Sequence, residues 1–431
     1  MKATQDKALD AHLLMKAYER FLPSEFLDLL GKEKITAIQL GDHIEEHMTV
    51  LFCDIRGFTP LSEEMTPQQT FDFLNSYLMQ MEPVIMNHRG IIDKYIGDAI
   101  MALFPVSADD AVRCAIAMTK RLSEYNGGRT RAGYEPIRIG IGLNSGLLMF
   151  GIIGGINRME GTVIGDAVNL AARIESLSKQ YGVQLLISEH TLYTLKQPDD
   201  ISIRFLDRVL VKGKAQPQSV YEVFDTDPVN VKEGKAATRR LFEEALAHYH
   251  LKHIDRAKEM LQECLRRTPL DNPAQVYLDR CEKFIQTGIH ESTGELARPI
   301  EWSDDYATGV SHIDDQHREL FVQCNNLLKA VHAHRQMEEI NEVVAFLSTY
   351  VKEHFDDEEK LMEDYQYPFT DFQKWQHEKF TNQFTILKNE ISGINDSNRY
   401  FVLLRVQLLL VDWLVNHTLK HDTHIGRFIR Q

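Results

Sequence analysis

Two apolar runs, Val50–Ile55 and Ile91–Phe104, each carry one aspartate to a strand end or a turn. The first ends at Asp54 and passes into Arg56-Gly57-Phe58-Thr59. The second is interrupted by Gly97-Asp98, whose glycine at the first central position predicts a two-residue hairpin connection. With that hairpin beside the first strand, the two carboxylates approach each other. Like charges so close repel unless a cation such as Mg²⁺ or Mn²⁺ lies between them. Two turn aspartates that merely cap the chain are the plain alternative.

The segments around these runs read as alternating strands and helices. Residues 1–35 are helical with a break at Pro23, and Ile35–Asp54 is strand-like. Thr66-Pro67-Gln68-Gln69 is a capping box with proline at the first helical position, opening a helix that runs to about Arg89. A second helix starts near Ser107 and stops at Asn126-Gly127-Gly128. Ile137–Leu143 is a strand with Asn144-Ser145-Gly146 as its turn, and Leu147–Ile156 is the next. A helix opening near Asp166 presents Asn169 and Arg173 on one face, an amide and a guanidinium suited to anionic oxygens. Strands around Val183–Ile187, Ile203–Lys214 and Val220–Phe224 close the segment, with the basic turn Lys212-Gly213-Lys214 between the last two. This order predicts an α+β sandwich with helices mainly on one face of one sheet.

Residues 48–224 resemble the catalytic domain of the class III nucleotide cyclases, with a palm-like, ferredoxin-like α+β fold. The resemblance implies that Asp54 and Asp98 bind two Mg²⁺ or Mn²⁺ ions together with the backbone of Ile55. It assigns purine reading to Lys94 and Thr162, transition-state contacts to Asn169 and Arg173, and the triphosphate to Lys212, with Lys214 the weaker choice. Lys94 is the residue that adenylate cyclases of the family carry where guanylate cyclases have glutamate, and Thr162 matches a bacterial subgroup. The backbone amides from Ile55 to Thr59, Phe58 and Thr59 among them, are expected to cradle phosphates. In the family the aspartates come from one subunit and the lysine, threonine, asparagine and arginine from the other. A homodimer acting on ATP is therefore implied.

Length and charge limit the rest. A chain of 431 residues needs about two to four domains. A net charge of −15 argues against a general binder of nucleic acid or anionic membrane. Five scattered cysteines without a CxxC pair point to a reduced, cytoplasmic setting. No signal peptide is legible at the N-terminus, where Lys16, Glu19 and Arg20 interrupt the apolar residues. The apolar run Phe401–Val415 contains Arg405, Gln407 and Asp412, so membrane insertion is not expected.

Past a polar linker at Thr226–Lys235, Arg239–Phe284 keeps the spacing of one tetratricopeptide repeat through Leu241, Ala245, Ala257, Leu261 and Pro269. It departs at His248, where an aromatic residue is usual. One such unit cannot bury its own apolar face, so a helical spacer packed on a neighbour is expected. Gln286–Arg298 reads as a second linker. The domain boundaries expected are 1–45 for an N-terminal helical coupling segment, 46–226 for the cyclase, 236–290 for the spacer and 299–431 for the last domain.

From Ile300 onward the chain holds nine of its 18 histidines, on strongly helical segments near 314–335, 337–365, 368–392 and 399–428. Such lengths and loops predict an antiparallel four-helix bundle. His354 and Glu358 lie one turn apart, His417 and Asp422 on adjacent turns, and His317 and His377 on the other two helices. Imidazoles and carboxylates pointing inward from four helices form a site suited to iron. Residues 300–428 resemble the bacterial single-domain hemerythrins, which implies a di-iron centre. Within it His317 and His354 match the oxygen-binding iron, His377 and His417 the other, and Glu358 and Asp422 the bridging carboxylates. Gln373 stands where the family has a further histidine. It is expected either to ligate weakly through its amide oxygen or to leave an open position.

The resulting expectation is an adenylate cyclase forming cyclic AMP and pyrophosphate, regulated by a domain that senses O₂, redox state or NO. A constitutive cyclase carrying an uncoupled iron module, or a guanylate or mixed-specificity cyclase, are the alternatives.

Overall fold

The computed structural model describes residues 24–155, 157–210, 217–291, 294 and 296–430. The expected helices before Pro23 and the Lys212-Gly213-Lys214 turn lie outside the described residues. The chain divides into two compact units. One holds the described residues up to Arg204 together with Val220–Lys232; the other holds Phe205–Ser219 and Glu233 onward.

The first unit opens with the short helix α1 (Ser24–Leu29) and the long strand β1 (His43–Ile55). Helices α2 (Phe58–Glu63) and α3 (Pro67–Asn87) follow, then β2 (Ile91–Ile96), β3 (Ala99–Phe104) and α4 (Ala108–Arg131). The run continues with β4 (Ile139–Gly155), β5 (Arg158–Ile164), α5 (Asp166–Tyr181), β6 (Leu185–Ser188) and α6 (Glu189–Thr194). β7 (Ile203–Val209) and β8 (Gln218–Val223) end the sheet, whose order is β2-β3-β1-β4-β6-β8-β7 with β5 also paired to β4. The capping box forms as expected: Thr66 accepts from the Gln69 amide while the Gln69 side chain accepts from that of Thr66.

Three local expectations give way to tertiary packing. Asn144-Ser145-Gly146 is not a turn but the middle of β4, because its polar side chains are satisfied in the interior. Asn144 donates to the Ala167 carbonyl at 2.9 Å and accepts from Ser188 at 2.6 Å, and the Ser145 hydroxyl lies 2.8 Å from that of Thr49. The second helix runs through Gly127-Gly128 to Arg131. Asn126 ties it to the chain by bonding both backbone groups of Ile137, and the Arg129 guanidinium lies over the rings of Phe73, Tyr125 and Tyr134. Helices cover both faces of the sheet. Val50 joins a core with Phe26 of α1 and Ala167 and Ala171 of α5, whereas Cys53, on the opposite face, sits 3.4 Å from Tyr77 of α3.

Helix α7 (Val229–His250) begins in the first unit and continues into the second, where α8 (Ile254–Arg267) and α9 (Asn272–Thr287) follow. The predicted linker at Thr226–Lys235 is therefore mostly helical. Packing explains it: Gly234 lies so close to Thr268 that a Cβ there would stand 2.3 Å from its hydroxyl oxygen. The bundle comprises α10 (Ser311–His332), α11 (Met337–Asp364), α12 (Thr370–Ser392) and α13 (Arg399–Ile429). Helix α13 changes winding twice, with π-helical turns at Gln407–Asp412 and Thr418–Asp422. It is long and apolar, and 89% of its most apolar window is buried inside the protein, so its apolar surface is spent on packing.

Candidate functional site

The register of the sheet decides where the first carboxylates go. β1 lies between β3 and β4, with Cys53 opposite Ile100, so the tip of the β2–β3 hairpin falls beside the end of β1. The tip is tight because Gly97 takes φ +65°, a conformation glycine adopts at little cost. The single Ile55 amide then donates to Asp54 at 3.1 Å and to Asp98 at 3.3 Å. Burial, and then the hydrogen bond and charge of Asp54, push the Asp98 carboxyl up to about 7. Two carboxylates that converge on one amide offer the oxygen donors a divalent cation takes.

The loop after β1 is locked by a pair that no local sequence pattern reveals. The Arg56 guanidinium bridges to Glu175 of α5 at 2.9 Å, and the Arg56 amide donates to the Arg138 carbonyl at 2.8 Å. The Ile55 and Arg56 amides are therefore already engaged, which narrows the expected phosphate cradle to the start of α2, at Phe58 and Thr59 behind Gly57 at φ +70°. Phe58 is held there by a stacked contact with Phe73, ring centres 6.2 Å apart.

On the other flank, Lys94 of β2 and Thr162 of β5 meet: the ammonium donates to the threonine hydroxyl at 2.9 Å. Glu160 holds the same ammonium at 3.2 Å and Asp93 lies 3.5 Å away. Sequence reading missed Glu160, although its place two residues before Thr162 on one strand put it on the same face. Asn169 and Arg173 share one face of α5, with Asn169 exposed. Lys212 is outside the described residues.

The second cluster sits inside the bundle. His317, His354, Glu358 and Asp422 offer ligand atoms within 4.8 Å of one another, and so do Glu358, His377 and His417. Glu358 belongs to both groups. Asp422 reaches a histidine of each, with Oδ2 at 3.1 Å from His317 and Oδ1 at 3.2 Å from His417. Two carboxylates each facing two sets of imidazoles fit a pair of bridged cations. The burial agrees: His317, His354, Glu358 and Asp422 are at most 2% exposed. Apart from these approaches within the cluster, both nitrogens of His317, Nε2 of His354, Oε2 of Glu358 and both oxygens of Asp422 meet no hydrogen-bond partner among the described residues. Burial pushes the Glu358 carboxyl far up and the His354 imidazole far down. Neutral imidazoles are the form that ligates a metal.

The ring nitrogens that face away are held. Nδ1 of His354 lies 3.1 Å from the Gln316 amide oxygen, and Nδ1 of His377 lies 2.9 Å from Glu359. Such partners fix ring orientation in metal sites, and sequence reading named neither. Gln373, one turn before His377, is completely buried, and neither amide atom has a hydrogen-bond partner among the described residues. His424 is engaged by the Tyr367 hydroxyl at 2.7 Å, and neither it nor His421 falls in the two ligand groups.

Two family models match the regions that hold these residues. Residues 42–224 match the family described as adenylate and guanylate cyclase catalytic domain, and residues 308–429 match the hemerythrin HHE cation binding domain. An adenylate cyclase of Anabaena cylindrica is 44% identical over 215 residues, covering 48% of this chain and 43% of that protein. A terminal-differentiation specific adenylate cyclase of Dictyostelium discoideum is 36% identical over 280 residues, covering 64% of this chain and 13% of the relative. This chain thus spans less than half the length of these relatives. Among solved structures, the adenylyl cyclase CyaB from P. aeruginosa is 34% identical, covering 42% of this chain and 95% of that one, with a TM-score of 0.39.

Proposed function

We propose that this chain, whose residues 42–224 belong to the adenylate and guanylate cyclase catalytic domain family and whose residues 308–429 form a hemerythrin HHE domain, converts ATP to cyclic AMP and pyrophosphate under control of a di-iron site. The observation that carries the choice of ATP is the Lys94–Thr162 contact. An ammonium donor suits the acceptor nitrogen N1 of adenine, where guanine presents an N–H, and a hydroxyl accepts from the adenine amino group. Glu160 fixes the ammonium between reading events.

Asp54 and Asp98 would hold two Mg²⁺ or Mn²⁺ ions, which would supply acidification of the ribose 3′-hydroxyl and charge neutralisation of the leaving pyrophosphate. The 3′-oxygen bonds to the α-phosphorus, the bond from that phosphorus to the bridging oxygen breaks and pyrophosphate leaves, and the hydroxyl proton passes to solvent water. Arg173 neutralises the charge that grows on the α-phosphoryl oxygens, and Asn169 orients the ribose, so the protein acts by positioning and electrostatics. Phe58 and Thr59 bring the first amides of α2 to the phosphates.

The active enzyme is a homodimer with sites shared between protomers. Supporting this, β2, β4 and β5 leave Tyr95, Ile96, Ile153, Met159 and Ile164 at least 44% exposed, an apolar surface that a second copy would cover. In the bundle, His317, His354, Glu358, His377, His417 and Asp422 would hold two irons, whose response to O₂, NO or redox change would set the rate of the cyclase. The buried, unpartnered donor atoms of His317, His354, Glu358 and Asp422 support the metal site in this reading.

The test is substrate choice. With purified protein and Mn²⁺, cyclic AMP forms from ATP and little cyclic GMP from GTP, and Lys94→Glu reverses the preference. Equal use of GTP by the natural protein would contradict the reading.

A further inference from the structure

We infer that the buried ion pair between Arg208 and Asp412 is the connection through which the histidine–carboxylate cluster acts on the outer strands of the cyclase sheet. This rests on the reading that the hemerythrin domain regulates the cyclase. Asp412 ends the first π-helical turn of α13, and Asp422 ends the second. Between them lies Trp413–His417, one α-helical turn. Within it the Trp413 ring stacks on the cluster histidine His417, centres 4.3 Å apart and 15° from parallel. Any change in spacing or charge among His417, His377 and Asp422 must be taken up by this helix, and its least regular turns are the ones on either side. Single π turns inside α-helices mark places where winding can differ, often at functional sites.

At Asp412 that helix is gripped by the sheet's last two strands. Arg208 of β7 donates from Nε to Oδ2 at 3.1 Å and from Nη2 to Oδ1 at 2.7 Å. Ser219 of β8 donates to Oδ2 at 3.0 Å, and Gln407, at the start of the same π turn, donates to Oδ1 at 2.8 Å. Two bonds thus reach each carboxylate oxygen, and the pair is shut away, with side chains 7% and 5% exposed. Gly294 closes over it so tightly that a Cβ there would stand 2.4 Å from that of Arg208. Arg208, Ser219 and Asp412 all lie in the second compact unit, while β7 itself begins at Ile203 and Arg204 in the first. The strand is therefore one continuous piece of chain reaching from the ion pair into the cyclase unit.

A pair of this kind is a poor way to gain stability, since apolar residues of similar size often serve as well. What it supplies is direction. A bidentate fork tolerates little rotation of its carboxylate, so a rewound π turn moves β7 and β8 or breaks the fork. Asp207, next to Arg208, is itself tied to His250 and Arg280, both at 3.2 Å, which holds the strand against α7 and α9. The strand's freedom is thereby confined to what Asp412 allows.

The test uses full-length, iron-loaded protein and reads coupling in both directions. Azide affinity of the iron centre is followed by visible absorption with and without α,β-methylene-ATP, beside cyclic AMP formation with and without azide. By linkage the nucleotide analogue changes azide affinity, a coupling factor of about 5-fold to about 150-fold in regulated proteins. In Arg208→Met/Asp412→Leu, which keeps the volume and removes the fork, the factor falls to about 1, while iron content, azide affinity without nucleotide and basal cyclase rate stay at wild-type levels. Ser219→Ala keeps the ion pair and lowers the factor by less, which secures the result should the double variant fold poorly. A factor retained in full by both variants would overturn the route through Asp412. A factor of 1 in the unmodified protein would overturn regulation itself, and this inference with it.

Discussion

Asp98 shows how a single residue can carry a testable consequence. Its carboxyl is pushed up to about 7 by burial and by Asp54 beside it. A raised folded-state value means the proton is bound more tightly in the folded protein. Its stabilising effect is complete below the unfolded carboxylate range and is lost as pH rises through about 7. The metal-free protein is therefore less stable at pH 8 than at pH 6 on this account, and a divalent cation that replaces the proton removes the deficit. Mg²⁺ should raise the melting temperature more at pH 8 than at pH 6, measured by thermal unfolding. An equal shift at both values would mean that the two carboxylates do not share the ion. Gln373 carries a second consequence. Its completely buried amide has no hydrogen-bond partner among the described residues and stands one turn before the cluster histidine His377. Gln373→His should increase the iron retained per chain after dialysis against a chelator, by about 10-fold to 100-fold in affinity. Unchanged retention would mean that this position does not face the metal.

At the scale of elements, what could be read from sequence was what depends on neighbours along the chain. The Gly97-Asp98 hairpin and the Thr66–Gln69 capping box appear where their local chemistry demands. His354 and Glu358 on α11 were legible as a pair because a four-residue spacing puts both on one helix face, whereas the rest of the proposed ligand set came from the resemblance to hemerythrins. Asn144 was misread because its partners, Ala167 and Ser188, are 23 and 44 residues away. The Arg208–Asp412 pair spans 204 residues, and the π turns of α13 depend on packing that no periodicity encodes. Long-range approach also makes a strong demand at Gly142 of β4, where an added Cβ would meet the Glu175 amide nitrogen of α5 at 2.2 Å. Backbone cannot yield as a side-chain tip does, so Gly142→Ala should cost about 1–3 kcal/mol in denaturant unfolding. A neutral substitution would mean that α5 can move off the sheet.

At the scale of the whole molecule, a shared active site takes two chains and a regulated response takes two domains. Asp54→Ala and Arg173→Ala proteins, each inactive alone, should regain up to about a quarter of the natural rate when mixed and allowed to exchange subunits, because random pairing makes half the dimers mixed and each mixed dimer keeps one intact site. Mixtures that stay inactive despite exchange would contradict the shared site. The connection between domains has its most direct test in one sample of iron-loaded, chemically reduced full-length protein, assayed for cyclic AMP formation without oxygen and again after exposure to air. A reproducible change in rate that disappears in His354→Ala is the predicted result. Equal rates in both conditions, with iron confirmed in both samples, would contradict the central claim and leave a cyclase joined to an iron site that does not speak to it.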